Sequence, residues 1–147
     1  MLRASFSILF LTGLLLSTTV GAESFDIYNT LGTEEQQPLS ERLDVFECED
    51  TVYTVIEISD ASLGMHELEV DWFDPSQSKR EVTRYDFTVT NGQERIWAWL
   101  RLHRASGAGM MKWLDSSAGL EEFIGDWLVE VKVDGLNIGQ TNFRVIC

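Results

Sequence analysis

Hydrophobic and polar residues alternate with period two along most of the chain, with turn residues between the runs. From His66 to Trp72, Leu68, Val70 and Trp72 alternate with Glu67, Glu69 and Asp71 before the turn Asp74-Pro75-Ser76-Gln77-Ser78. Tyr85, Phe87 and Val89 alternate with Arg84, Asp86 and Thr88 and run into Asn91-Gly92, a pair that accepts positive φ and so favours a hairpin. Trp127, Val129, Val131 and Val133 alternate with Asp126, Leu128, Glu130 and Lys132. A second turn, Asp134-Gly135, follows, and then Phe143, Val145 and Cys147 share one phase. Shorter runs cover Leu43 to Cys48 and Val52 to Ile58. With the run from Arg95 to His103, these predict about seven antiparallel strands and no long amphipathic helix, an all-β, two-sheet sandwich.

Two segments break the pattern. Residues 23–39 form a polar extension that could carry an edge strand at Phe25 to Tyr28, ahead of the sandwich predicted for 40–147. Residues 103–125 make a connection longer than compact domains usually contain. Before both, Arg3, an apolar stretch from Ser5 to Leu16 and the small residues Val20-Gly21-Ala22 have the layout of a signal peptide over 1–22. Cleavage is expected after Ala22, which makes the protein periplasmic or secreted with no stable membrane insertion.

The C-terminal run GDWLVEVKVDGLNIGQTNFRVI resembles the last hairpin of bacterial extracytoplasmic Ig-like domains. In these a G-x-W-x-V-x-V-x-x-D-G strand and turn precedes F-x-V. The resemblance spans the end of the chain and implies an Ig-like β-sandwich. Its motifs describe strand, turn and core, so it implies no activity.

The chain has 24 Asp+Glu against 11 Lys+Arg, and only Arg3 among these lies before residue 23, so removal of the signal moves the net charge from −13 to −14. That charge opposes nucleic acid and anionic lipid as partners. Exactly two cysteines in an exported chain predict one disulfide, Cys48–Cys147, with both sulfurs inward if Phe46 is inward. Intermolecular pairing and two buried thiols are the alternatives.

Little points to reaction chemistry. There is no G-x-S-x-G elbow, no C-x-x-C pair and no glycine-rich phosphate loop. His66 and His103 lack metal-ligand spacing and are expected to face solvent. The run Asp115 to Glu122 matches an EF-hand loop poorly, because its glycine falls at the fifth position. Asp71 and Asp74 are expected at a solvated strand end. A non-enzymatic protein without metal or cofactor follows.

The informative strand is Arg95-Ile-Trp-Ala-Trp-Leu-Arg-Leu-His103. Ile96, Ala98, Leu100 and Leu102 should face the core, which turns Arg95, Trp97, Trp99, Arg101 and His103 outward. Tyr53 and Val55 should lie beside the two tryptophans on the neighbouring strand. Such an aromatic-arginine face, assisted by Trp113 in the long connection, suits a protein partner. A glycan stacked on Trp97 and Trp99 is the second candidate, and a structural subunit paired through an edge strand the third. The opposing expectation is that residues 23–42 or 103–125 fold across the face and cover it.

Overall fold

The computed structural model describes residues 22–103 and 119–147. Eight strands account for most of them: β1 (Ser24–Thr30), β2 (Val45–Glu47), β3 (Thr51–Ser59), β4 (Gly64–Phe73), β5 (Lys79–Val89), β6 (Gln93–Arg101), β7 (Gly125–Val133) and β8 (Leu136–Ile146). One 3-10 turn covers Glu121–Phe123. The protein is all-β, with one sheet in the order β1-β3-β6 and the other in the order β2-β8-β7-β4-β5. The β2–β8 pair is parallel, and the other pairs are antiparallel.

The inward phases read from the sequence meet between the sheets. Ile56, Ile58, Ile96, Ala98 and Leu100 from the smaller sheet pack in one core with Leu68, Val70, Trp72, Trp127, Val129, Val131, Phe143 and Val145 from the larger. The rings of Trp127 and Phe143 stack at 5.8 Å, and Phe46 meets Phe143 edge-on at 5.5 Å. Asp134 and Gly135 both take positive φ, as a two-residue hairpin with this sequence requires.

The extension at the N-terminus contributes a full strand. β1 forms an edge of the smaller sheet and also fastens it to the larger one. Buried Asn29 donates through Nδ2 to Thr141 Oγ1 and to the Asn142 carbonyl, while its Oδ1 accepts from Thr54. Ile27 sits so near β8 that a Cβ on Gly139 would come within 2.8 Å of its Cδ1. The opposite seam is closed by Tyr85 of β5. Its hydroxyl donates to the Trp97 carbonyl at 2.8 Å and accepts the Trp97 amide at 3.1 Å. One side chain thus occupies both backbone groups at the middle of the β6 edge, which would otherwise offer a template for another strand.

Cys48 and Cys147 form the disulfide. They follow β2 and β8 one residue beyond the parallel register Glu47↔Ile146, so the bridge continues that ladder. Cys48 is buried, whereas Cys147, as a whole residue at the end of the chain, is exposed. Several expectations need correction. Asp71 points outward as its phase requires, yet it is buried beneath Lys79 and Lys132, each 2.8 Å from its Oδ2. Asp74 is buried as the organiser of its turn rather than solvated. His66 is largely covered: Nδ1 lies 2.7 Å from Asp134 Oδ2 and Nε2 lies 2.9 Å from the Ser62 carbonyl. Both neighbours are acceptors, so the imidazolium satisfies the arrangement best, and the Asp134 hydrogen bond with the Ser62 contact raises the His66 pKa. Among the described residues no helix is long and apolar enough to cross a membrane.

Candidate functional site

The outer face of the β1-β3-β6 sheet carries rows set by strand register. Tyr28, Val55 and Trp97 form one row, and Thr30, Tyr53 and Trp99 the next. Tyr53 and Val55 therefore neighbour the two tryptophans as the alternation predicted. Their exposure differs from expectation. Trp99 is 55 % exposed and Trp97 half-buried, whereas Tyr53 is only 5 % exposed and Val55 fully buried.

The cover over Tyr53 comes from residues 31–43, a strap between β1 and β2. Gly32 lies against the Tyr53 ring, where a Cβ would come within 2.4 Å of Cε2, so only glycine fits without displacement. The strap closes on itself through a Gly32↔Pro38 bridge and a hydrogen bond from the Leu39 amide to the Leu31 carbonyl. Two arginines hold it to the sheet. Arg95 donates to the carbonyls of Leu39 at 3.0 Å and Pro38 at 3.3 Å, and to the Tyr28 hydroxyl at 3.3 Å. Arg42 pairs with Asp26 and places its guanidinium 4.4 Å from the centroid of the Tyr28 ring. The hydrogen bond from Arg42 lowers the Asp26 pKa and outweighs the small desolvation cost.

Arg95 is thereby a strap anchor and not an open contact residue. Replacing it should release the strap without unfolding the sheets. Arg95→Ala is expected to cost about 1 kcal/mol, since these charged hydrogen bonds are partly solvated. Hydrogen exchange at the Leu39 amide should accelerate about fivefold while core amides such as Val70 stay protected. Unchanged Leu39 exchange would show that the strap is held by other contacts.

The strap stops short of the lower end of β6. There it leaves a groove of about 560 Å³, within the range of small-ligand and peptide sites. Thr33 and Gln36 line it from the strap, Glu49 and Asp50 from the β2–β3 turn. Tyr53, Trp99, Arg101 and His103 line it from β3, β6 and the residues after β6. Asp50 Oδ2 accepts the Glu47 amide at 2.7 Å, so this carboxylate shapes the turn as well as the groove. The disulfide stands directly beside this turn, since Cys48 precedes Glu49.

Arg101 is unusual in this molecule. Arg42, Lys79, Arg80, Arg84, Arg95, Lys132 and Arg144 each hold a carboxylate. Arg101, exposed two residues beyond Trp99 on the same face, has no hydrogen bond or ion pair among the described residues. Of the residues singled out by sequence, the groove unites Tyr53, Trp99 and Arg101, and adds His103. Arg95 serves the strap, Trp97 lies one row away, and Trp113 falls outside the described residues. Strand alternation could not have found the strap side of the groove, because residues 31–43 have no periodicity. Among the described residues, no group of three or more His, Cys, Asp and Glu is placed to hold a metal ion.

No family model matches the chain, and no curated protein matches it. Among solved structures it is similar to an alkylpurine DNA glycosylase of Pseudomonas fluorescens, AlkC, bound to DNA containing an abasic site analog. Identity is 10 % and the TM-score 0.50, over 85 % of this chain and 30 % of the glycosylase. The chain thus spans less than a third of that protein, and at this identity the likeness is one of fold alone.

Proposed function

We propose that the protein is an exported, non-enzymatic binding module with an Ig-like sandwich fold, which holds a protein partner in the groove beside Trp99. The Ig-like reading is supported by strand order. β1, β3 and β6 take the places of the first, second and fifth strands of such a domain, facing a sheet in which β8, β7 and β4 are neighbours and β5 extends the edge. Trp72, fully buried on β4, stands where antibody-type domains keep their core tryptophan. The disulfide departs from that family, since it joins β2 to β8 instead of crossing between the sheets. An intramolecular disulfide suits the oxidising compartment to which the signal-like segment 1–22 would deliver the chain.

The observation that carries the function is Trp99, more than half exposed at the mouth of a groove beside Arg101, which has no acid partner among the described residues. Tryptophan and arginine are the residues most often found at interface hot spots. A protein partner is favoured over a glycan because a sugar platform built on the Trp97/Trp99 pair needs both rings open, and Trp97 is half-buried. A non-enzymatic role is favoured by the state of His66. It bonds to Asp134, but its other nitrogen faces the carbonyl of Ser62, not its hydroxyl, so the three make a clamp and not a nucleophile–base–acid relay. The net charge speaks against nucleic acid.

The test is a photo-reactive phenylalanine analogue at position 99 in the native host, with the same analogue at exposed Val82 on the other sheet as control. A discrete, protease-sensitive adduct from position 99 alone is expected. Adducts of equal pattern from both positions, or an adduct that resists protease and yields to glycosidases, would overturn the protein-binding reading.

A further inference from the structure

The charge pattern of the molecule narrows what the groove can hold. Acids outnumber bases by more than two to one, so a lysine or arginine on this surface has carboxylates on offer nearly everywhere. The other described bases beyond the signal-like segment have each taken one. Arg101 has not, although Asp50 and Glu49 line the same groove. Asp50 turns Oδ2 to the Glu47 amide, and Glu49 has a partner of its own. A guanidinium presents a planar fork of donors that fits one carboxylate through two parallel hydrogen bonds. Trp99, on the same strand face, supplies an apolar surface beside it.

We infer that the groove recognises an acidic segment of its protein partner: a carboxylate side chain paired with Arg101, next to an apolar side chain laid on Trp99. This rests on the proposed binding function and specifies the chemistry of its partner. A long polyanion is a poor fit, because a body of charge −13 repels it as a whole. A short segment needs only one carboxylate beside Arg101, whose guanidinium no acid holds among the described residues. His103 lines the groove margin beside Arg101.

The experiment is an NMR titration of the protein expressed from its full-length sequence, following the Trp99 indole signal. Three probes are used: a ten-residue peptide of alternating Asp and Leu, the same peptide with Lys for Asp, and a neutral glucose trisaccharide. Binding of the acidic peptide is expected to exceed that of the basic one, and Arg101→Gln should weaken it about tenfold, the loss of one charged hydrogen-bonded pair. Arg84→Gln, on the other sheet, should leave it unchanged. Equal binding of both peptides, or an Arg101→Gln variant that binds as before, would overturn the acidic-segment inference and leave the binding module standing. A shift from the trisaccharide alone would overturn both, and so would the absence of any shift at Trp99.

Discussion

Removing the Cys48–Cys147 disulfide should lower the stability of the protein by about 4 kcal/mol. The two residues are 99 apart in sequence, and closing a loop of that size restricts the unfolded chain by roughly 4–5 kcal/mol in the chain-entropy model. The native side offers little to offset that loss. β2 has only three residues and one partner, the parallel strand β8, so it cannot hold its place by ladder hydrogen bonds alone. A Cys48→Ala/Cys147→Ser variant, measured by urea unfolding, is expected to lose about 4 kcal/mol and roughly 15 °C in Tm. The consequence reaches the groove, because β2 leads directly into the turn that carries Glu49 and Asp50. A loss under about 1 kcal/mol would mean that the unfolded chain is already compact enough to make the bridge redundant.

Asp74→Ala should cost about 3 kcal/mol, the second largest effect expected of a change outside the aromatic core. Asp74 Oδ1 accepts the Ser76 amide at 2.9 Å, the Ser76 hydroxyl at 2.6 Å and the Ser78 amide at 3.0 Å, and Oδ2 accepts Arg80 Nε. Truncation leaves these donors unsatisfied and breaks an ion pair whose acid is buried. Arg80 also reaches Glu122 and lies over the Phe123 ring at 5.3 Å, so the same carboxylate fixes the 3-10 turn ahead of β7. The effect has a pH signature. Burial alone would raise the Asp74 pKa, but the hydrogen bonds from Ser76, Arg80 and Ser78 prevail and hold it at about 2, below the ordinary 3.8. A carboxylate depressed in the folded state contributes its full stability above the unfolded value and loses it as pH falls toward the folded one. The stability difference between wild type and Asp74→Asn should therefore be constant above pH about 5 and shrink between pH about 4 and 2. A difference that does not shrink with acid would assign the role of Asp74 to shape and not to charge.

The strands and the buried acids show how far sequence reaches. Alternation placed the strands and assigned the inward phase correctly at Leu68, Val70, Ile96, Ala98, Trp127 and Val145, because burying one face of a pleated strand is a local, period-two constraint. The same alternation put Asp71 outward, and it is outward. Its burial comes from Lys79 and Lys132, long side chains that reach across from the adjacent strands β5 and β7. The site divides in the same way. Register made Tyr53 a neighbour of Trp99, but the cover over Tyr53 is a strap without periodicity, anchored by Arg95 and Arg42 across intervals of 57 and 16 residues. Only a fold shows that Arg95 is consumed in holding that strap while Arg101, six positions along the same strand, is left facing the groove.

The openness of that groove, and the accessibility of Arg101 within it, can be read in one quenching experiment. Tryptophan emission is measured with iodide and with caesium ions in wild type and in Trp99→Phe. A body of charge −13 should as a whole admit caesium more readily than iodide. The emission lost on Trp99→Phe is predicted to be strongly quenchable and to favour iodide, drawn in by Arg101. If that component resists both ions, or favours caesium, the groove is either closed or dominated by Glu49 and Asp50, and Trp99 and Arg101 are not the binding surface.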